Sequence, residues 1–156
     1  MEVNKIISHA LQSMPPSKRQ KAFAKDTSKL IHMGLNENNY GMSPKAVAAL
    51  EDSMAGSHFY PDFAAVLLKQ KVAEQYGLKA ENVLTGAGSS AMIDMIGLTF
   101  LDEGDEVLFS APTYGAFADM AYLNGGVLVS VPVTEEQKFN LPAMKEKIGE
   151  KTKIVV

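Results

Sequence analysis

Val83-Leu84-Thr85-Gly86-Ala87-Gly88-Ser89-Ser90 opens the stretch VLTGAGSSAMIDMIGLTFL, residues 83–101, and its reading decides the fold. Val83 to Thr85 is short and apolar enough for a strand. Gly86 to Ser90 is a turn, and Ala91 to Leu101 has the composition of a buried helix. A strand that feeds a Gly/Ser turn and then a helix builds an anion site. The N–H groups of a first helical turn have no partner inside the helix and point outward, and the helix dipole adds partial positive charge there. Glycine lets a ligand approach the backbone, and each serine hydroxyl adds a donor. The plain alternative is a βα turn that uses glycine to bend and serine to cap. The turn alone leaves both open, because short glycine motifs recur without ligands.

Downstream, the pattern repeats. Asp102-Glu103-Gly104-Asp105 reads as a turn and Glu106 to Ser110 as a strand, which Ala111-Pro112-Thr113 ends. Tyr114 to Leu123 reads as a helix with Phe117, Met120 and Ala121 inward, stopped by Asn124-Gly125-Gly126. Val127 to Val131 is the next strand. Asn140-Leu141-Pro142 starts a helix to Ile148, and Lys153 to Val156 is a further strand. Strands alternating with helices require crossover connections. The predicted class is therefore α/β, with a mostly parallel sheet covered by helices. Ligands in such sheets sit beyond the carboxyl ends of the strands. That rule puts the Gly86–Ser90 turn and the Ser110–Tyr114 loop at one edge, with Tyr114 over whatever the turn holds.

Upstream, Val3, Ile6, Ile7, Ala10, Leu11 and Met14 have helical spacing, which Pro15-Pro16 ends. Lys18 to Lys29 is a basic connector. Leu30 to Leu35 is strand-like, and Asn36 to Gly41 is rich in turn formers around Tyr40. Ser43-Pro44 is a helix start, with Val47, Leu50 and Met54 as the expected buried stripe and Gly56 as the end. Asp62 is placed to cap a helix from Phe63 to Tyr76, with Phe63, Val66, Leu67, Ala73 and Tyr76 inward and Gly77 as the stop. The expected division is an arm and connector over 1–34, a loop and first helix over 35–62, and the front part of a larger α/β domain over 63–156.

The chain has 156 residues, 46% hydrophobic and 21% charged, with a net charge of −3. That is ordinary for a globular protein and makes no electrostatic case for nucleic acid or an anionic membrane. No apolar run reaches the roughly 18 residues of a membrane span. The N-terminus lacks a signal-peptide core, since Asn4, Lys5, Ser8 and His9 interrupt it. No cysteine is present, which rules out disulfides and thiolate metal sites and fits the cytoplasm. His9, His32 and His58 lack ligand spacing, so no metal site is expected. The last residues, Lys151 to Val156, read as the opening of a buried strand, whereas termini usually lie at the surface. The expectation is the front portion of a longer protein.

Two ligand classes compete for the turn. Gly86-Ala87-Gly88-Ser89-Ser90-Ala91 matches the dinucleotide pattern G-x-G-x-x-A. That pattern needs an acid at the end of the next strand for the ribose hydroxyls. Here the strand ends Phe109-Ser110-Ala111-Pro112, and Asp102, Glu103, Asp105 and Glu106 lie at its start. The other class is a phosphate-bearing aromatic cofactor. It accounts together for the phosphate-type turn, for Tyr114 one strand over, and for Tyr60 as a further aromatic hydroxyl.

The chain resembles the pyridoxal-phosphate-dependent aminotransferases of the aspartate-aminotransferase fold, and within them the histidinol-phosphate branch. The likeness rests on Leu35-Asn36-Glu37-Asn38-Asn39-Tyr40-Gly41, Tyr60-Pro61-Asp62, Glu81 to Ser89, Phe100 to Val107 and Ala111-Pro112-Thr113-Tyr114. It covers about residue 30 to the end. It implies that Gly88, Ser89 and Ser90 bind the cofactor phosphate, that Tyr114 stacks on the pyridine ring, and that Tyr60 reaches the phosphate across a homodimer interface. Asn36 and Tyr40 fall in the loop that closes over the substrate. The implied cofactor is pyridoxal 5′-phosphate, and the implied substrates are a small-molecule amino donor and a 2-oxo acid acceptor. The family's Schiff-base lysine, its aspartate for the pyridine nitrogen and its carboxylate-binding arginine would all lie beyond residue 156, so no catalytic residue is assigned here. Asn39 stands where the histidinol-phosphate branch has proline, and Ser90-Ala91 where it often has acids. These departures leave the donor open between an amino-phosphate and an aromatic or other amino acid. They also leave open a decarboxylase or lyase of the same fold, and a non-catalytic fragment.

Overall fold

The middle strand of the sheet is β1, Glu106–Ala111, a six-residue segment whose Val107, Leu108 and Ser110 are buried. It pairs in parallel with β2, Val127–Pro132, in the register Glu106 to Val127 through Ala111 to Pro132. On its other side it pairs in parallel with β3, Thr152–Val155, and the order is β2-β1-β3. This is the parallel arrangement that the alternating pattern predicts. In a computed structural model of the chain, residues 7–9, 12, 31, 33–34 and 36–156 are described. The predicted N-terminal helix and basic connector lie largely outside them. The chain forms two compact units, Ser17–Leu84 and Met1–Pro16 with Thr85–Val156.

The second of these units holds the sheet. Three helices belong to it, numbered after two in the other unit: α3, Gly88–Phe100; α4, Ala116–Leu123; and α5, Leu141–Lys147. Adjacent residues of a strand point to opposite faces, so Val107 and Leu108 enter separate cores. Val107 packs with Ile93, Leu101, Ala116, Met120 and Ala121 of the α3–α4 side. Leu108 packs with Val131 and with Met144 of α5. Helices thus cover both faces of β1. Asn140 caps α5 by accepting the Ala143 N–H at 3.2 Å, and α4 ends at Asn124-Gly125, as the sequence indicates. The two helices of the first core approach closely at Gly97, where a Cβ would lie 2.5 Å from Met120 Cγ and 2.6 Å from Asn124 Nδ2.

The other unit holds α1, Pro44–Ser53, and α2, Val66–Tyr76. Pro44 is at the first helical position as expected, and a 3-10 turn, Met54–Gly56, follows α1. Asp62 is not the N-cap of α2, which is Ala65, but organises the turn before it: its carboxylate accepts the Ala64 N–H at 2.9 Å and the Val66 N–H at 2.8 Å. Gly77 stops that helix with φ +65.

Several expectations are corrected. Val83–Thr85 forms no strand among the described residues, because no neighbouring strand pairs with it there. The described residues of 30–35 form no strand either. The helix after the glycine turn begins at Gly88 rather than Ala91, so the turn's last residues are the first helical turn itself. The helix after Pro112 begins at Ala116 rather than Tyr114, which leaves Tyr114 in the loop. α2 begins at Val66 rather than Phe63, because Ala65 takes a left-handed conformation at φ +48. The stripe Val47, Leu50 and Met54 is exposed rather than buried, and so are Phe63, Val66, Leu67 and Tyr76; Ala73 alone of the residues expected inward on α2 is buried. Helical spacing marks an apolar face but does not supply a surface to cover it. Phe117 is only half-buried, at the margin of the first core, with Ala116 buried in its place.

Candidate functional site

The glycine turn and the loop after β1 meet at one point. Ser90 Oγ and Tyr114 OH are 3.2 Å apart, a hydrogen bond between residues 24 positions apart in sequence. Each side of that contact follows from local structure. Gly88 takes φ +79, a conformation that side-chain-bearing residues rarely adopt, and so turns the chain into α3. Its N–H donates to Gly86 O at 2.9 Å. The N–H groups of Ser89 and Ser90 then belong to the first turn of a 13-residue helix, at its positive end. On the other side, β1 ends at Ala111, the Ala111–Pro112 peptide is cis, and Thr113 leads to Tyr114.

Tyr114 is about half exposed, so burial does not hold its ring. Two neighbours do. Phe117, the second residue of α4, meets it edge-on, with centroids 6.3 Å apart and planes at 89°. Ser90 holds the hydroxyl. The result, at the carboxyl edge of the sheet, is a helix start with its N–H groups and the Ser90 hydroxyl beside an aromatic ring. Nothing lies within 4 Å of the point where a Cβ on Gly88 would stand, so the backbone there is open to approach. Such an array can take a phosphate oxyanion and a planar ring together, by N–H and O–H donation to the first and by stacking on the second. The residues present therefore fit a phosphorylated aromatic cofactor.

Other features fit less well. The acids Asp102, Glu103, Asp105 and Glu106 precede or open β1, at the amino edge, and β1 ends on Ser110 and Ala111, so the acid that a dinucleotide ribose needs is not there. A groove of about 220 Å³ between α3, α4 and β3 is lined by Ile93, Ile96, Phe117, Met120 and the Ile154–Val156 end. Its side chains are all apolar and offer nothing to an anion.

Tyr60, Asn36 and Tyr40 belong to the other unit. Tyr60 is exposed and lies 5.8 Å, centroid to centroid, from Phe63. Asn36 takes φ +55. Tyr40 is fully exposed in a turn that Asn38 organises, accepting the Tyr40 N–H at 3.2 Å and donating to Gly41 O at 2.8 Å. The structure thus brings Gly88, Ser89, Ser90 and Tyr114 together within one unit. Sequence reasoning put Tyr114 over the turn but missed its hydrogen bond to Ser90 and its contact with Phe117. A bond across 24 residues has no local sequence signal.

A parallel sheet covered by helices on both faces, with a helix start and an aromatic ring at its carboxyl edge, defines a class: α/β proteins with crossover connections. Within that class, the chain belongs to the aminotransferase class I and II family, whose model matches residues 28–156. It is 32% identical over 120 residues to histidinol-phosphate aminotransferase 2 of Carboxydothermus hydrogenoformans, covering 77% of this chain and 33% of that one. It is 35% identical over 128 residues to histidinol-phosphate aminotransferase of an Anaeromyxobacter species, covering 82% of this chain and 35% of that one. The chain therefore spans about a third of the length of the curated relatives it matches. Its fold is similar to that of histidinol-phosphate aminotransferase from Sinorhizobium meliloti in complex with pyridoxal-5′-phosphate, with a TM-score of 0.77 and 24% identity over 94% of this chain and 40% of that one. That likeness shows the fold, the helix-covered parallel sheet of the pyridoxal-phosphate transferases. No helix among the described residues is long and apolar enough to cross a membrane.

Proposed function

We propose that this chain is the cofactor-cup portion of a pyridoxal-phosphate-dependent aminotransferase, which exchanges an amino group between an amino acid or amino-phosphate and a 2-oxo acid. The observation that carries the reading is the 3.2 Å contact that brings a glycine–serine helix start against an aromatic ring, in a chain of this family. Gly88, Ser89 and Ser90 would hold the phosphate by first-turn N–H groups and hydroxyls. Tyr114 would stack on the ring. The cofactor, when bound, supplies the electron sink that amino-group transfer needs. What these residues contribute is binding and orientation: they anchor the phosphate and hold the ring plane, so that the reacting carbon stays in one place.

Residues 35–62 would form the lid loop and first helix, with Asn36 and Tyr40 over the substrate, and residues 63–156 the front of the large domain. Tyr60 would reach the phosphate from the partner of a cytoplasmic homodimer. The exposed faces of α1 and α2 support a partner surface, since exposed apolar stripes of this extent mark interaction sites. The names of the relatives favour a histidinol phosphate-like donor, and Asn39 and Ser90-Ala91 keep an aromatic donor as the competing substrate.

The test is equilibrium binding of pyridoxine 5′-phosphate, an alcohol that cannot condense with surface lysines. Saturable binding that inorganic phosphate displaces, and that NAD leaves unchanged, is the expected outcome. Binding of NAD with no affinity for the pyridoxine ester would overturn the reading.

A further inference from the structure

We infer that Met92 is an oxidation site, and that a peroxide acting on its sulfur switches the glycine–serine turn to a weaker anion-binding state. For its effect on affinity the inference rests on the cofactor reading above, to which it adds a reversible modification.

The two glycines of the turn are glycine for different reasons. Gly88 takes φ +79, and nothing stands within 4 Å of a Cβ built on it. Gly86 has no left-handed φ, so its backbone conformation suits any residue. The space beside it is taken instead. A Cβ on Gly86 would lie 2.7 Å from Met92 Sδ and 3.7 Å from Met92 Cγ. The Met92 thioether thus packs on the bare backbone of Gly86, on a face that only glycine leaves free. Gly86 O accepts the Gly88 N–H at 2.9 Å, so whatever moves Gly86 also moves the start of α3, where the Ser89 and Ser90 N–H groups lie.

Met92 is partly buried and is a member of neither core among the described residues. A small oxidant can reach it, and its departure from Gly86 empties no core. Hydrogen peroxide transfers one oxygen to the sulfur. The S–O bond forms as the O–O bond breaks, the sulfur gives up two electrons, and the other oxygen leaves with both protons as water. A flexible apolar side chain becomes a polar, chiral one. The sulfoxide oxygen seeks water or a donor, so the side chain swings away from Gly86 or pushes the turn aside. Either movement removes the contacts that hold Gly86, and the first N–H groups of α3 lose their alignment. Sulfoxide reductases restore the thioether and with it the turn.

Two measurements on the whole 156-residue chain test this. In both, the chain is treated with hydrogen peroxide, and oxygen uptake at each of its nine methionines is read by peptide mass spectrometry. The first measurement needs no ligand: the amide resonances of Gly86, Ala87 and Gly88 report on the turn. They are expected to shift as Met92 converts and to return on treatment with reductases for both sulfoxide epimers. In Met92→Leu, a volume-conserving change that removes the sulfur, oxidation is expected to leave them where they were before it. Met92 still intact after the exposed Met33 and Met42 have converted overturns the inference. So do unmoved turn amides in the Met92 sulfoxide, and so do equal shifts in oxidised Met92→Leu.

The second measurement is affinity for pyridoxine 5′-phosphate. Oxidation is expected to weaken it by about 3- to 10-fold, the worth of one hydrogen bond, and to leave Met92→Leu at the affinity it had before oxidation. Shifted amides with unchanged affinity, or an equal loss in Met92→Leu, overturn the switch while the cofactor reading stands. No binding of the pyridoxine ester by the unoxidised chain overturns the cofactor reading, and the amides then still decide whether oxidation of Met92 moves the turn.

Discussion

Residues 85–156 and residues 36–84 are both built of helices with apolar faces, yet they end in different states. In the first stretch, Val107 and Leu108 have no exposed surface, and Ile93, Met120, Ala121, Val131 and Met144 close around them. In the second, Ala73 is the only buried residue among those described. Leu67 and Tyr76 of α2 are 77% and 68% exposed, and Leu50 of α1 is 54% exposed. The difference is the sheet. β1 presents a buried residue to each face, and a helix packs on each. The stripes of α1 and α2 have the spacing of a core face, but no second layer of their own unit covers them among the described residues. Amphipathic period is a property of one element, whereas burial is a property of two.

This contrast can be broken or sharpened by substitution, with urea unfolding as the readout. Leu108→Ala has the largest expected effect, because it empties a closed core on the middle strand: about 2–5 kcal/mol of stability. A loss below about 1 kcal/mol would mean that β1 is not the centre of the packed layer. Gly97→Ala comes next. Its new methyl group would meet Met120 and Asn124, and the Asn124 side chain is already committed to Met120 O at 2.8 Å. We expect about 1–3 kcal/mol from overpacking, and no loss would show that α3 and α4 separate freely.

Asp62→Ala removes the carboxylate that accepts the Ala64 and Val66 N–H groups. A loss of about 0.5–2 kcal/mol, seen as faster amide exchange in the first turn of α2, is the expected result. The smallest effect belongs to Leu67→Ala, which should change stability by no more than about 0.5 kcal/mol if its face is free. A loss on the scale of Leu108→Ala would mean that the α2 face is covered in solution. The comparison would then be one between a face buried within the chain and a face buried by a partner copy, and sedimentation at two concentrations would separate those cases.

Much of the layer was legible before any coordinates. β1, β2 and β3 fall within a residue or two of their expected bounds, because each is a short, largely apolar run between turn residues. Gly77, Pro44 and Asn140 take their expected places at helix ends, since capping is decided by residues a few positions apart. Val83–Thr85 was less legible. Its composition is that of a strand, but a strand exists only with a hydrogen-bonded neighbour, and none is present among the described residues. The same holds for the stripe of α1. Ala65 at positive φ was not foreseeable, as alanine carries no signal for it.

At the candidate site, the sequence alone determined the chemistry on offer. Gly86-Ala87-Gly88-Ser89-Ser90 before a helix means outward N–H groups and hydroxyls, and the alternating order of elements means a parallel sheet with its ligand edge beside Tyr114. These follow from local backbone rules and from the one hand in which such crossovers close. Only the tertiary structure decided that Ser90 meets the Tyr114 hydroxyl, that Phe117 at the margin of the core also meets its ring, and that Gly97 is where two helices touch. Each depends on the distance between groups far apart in the chain. That distance is set by the packing of whole elements on both faces of β1, and no short window of sequence encodes it.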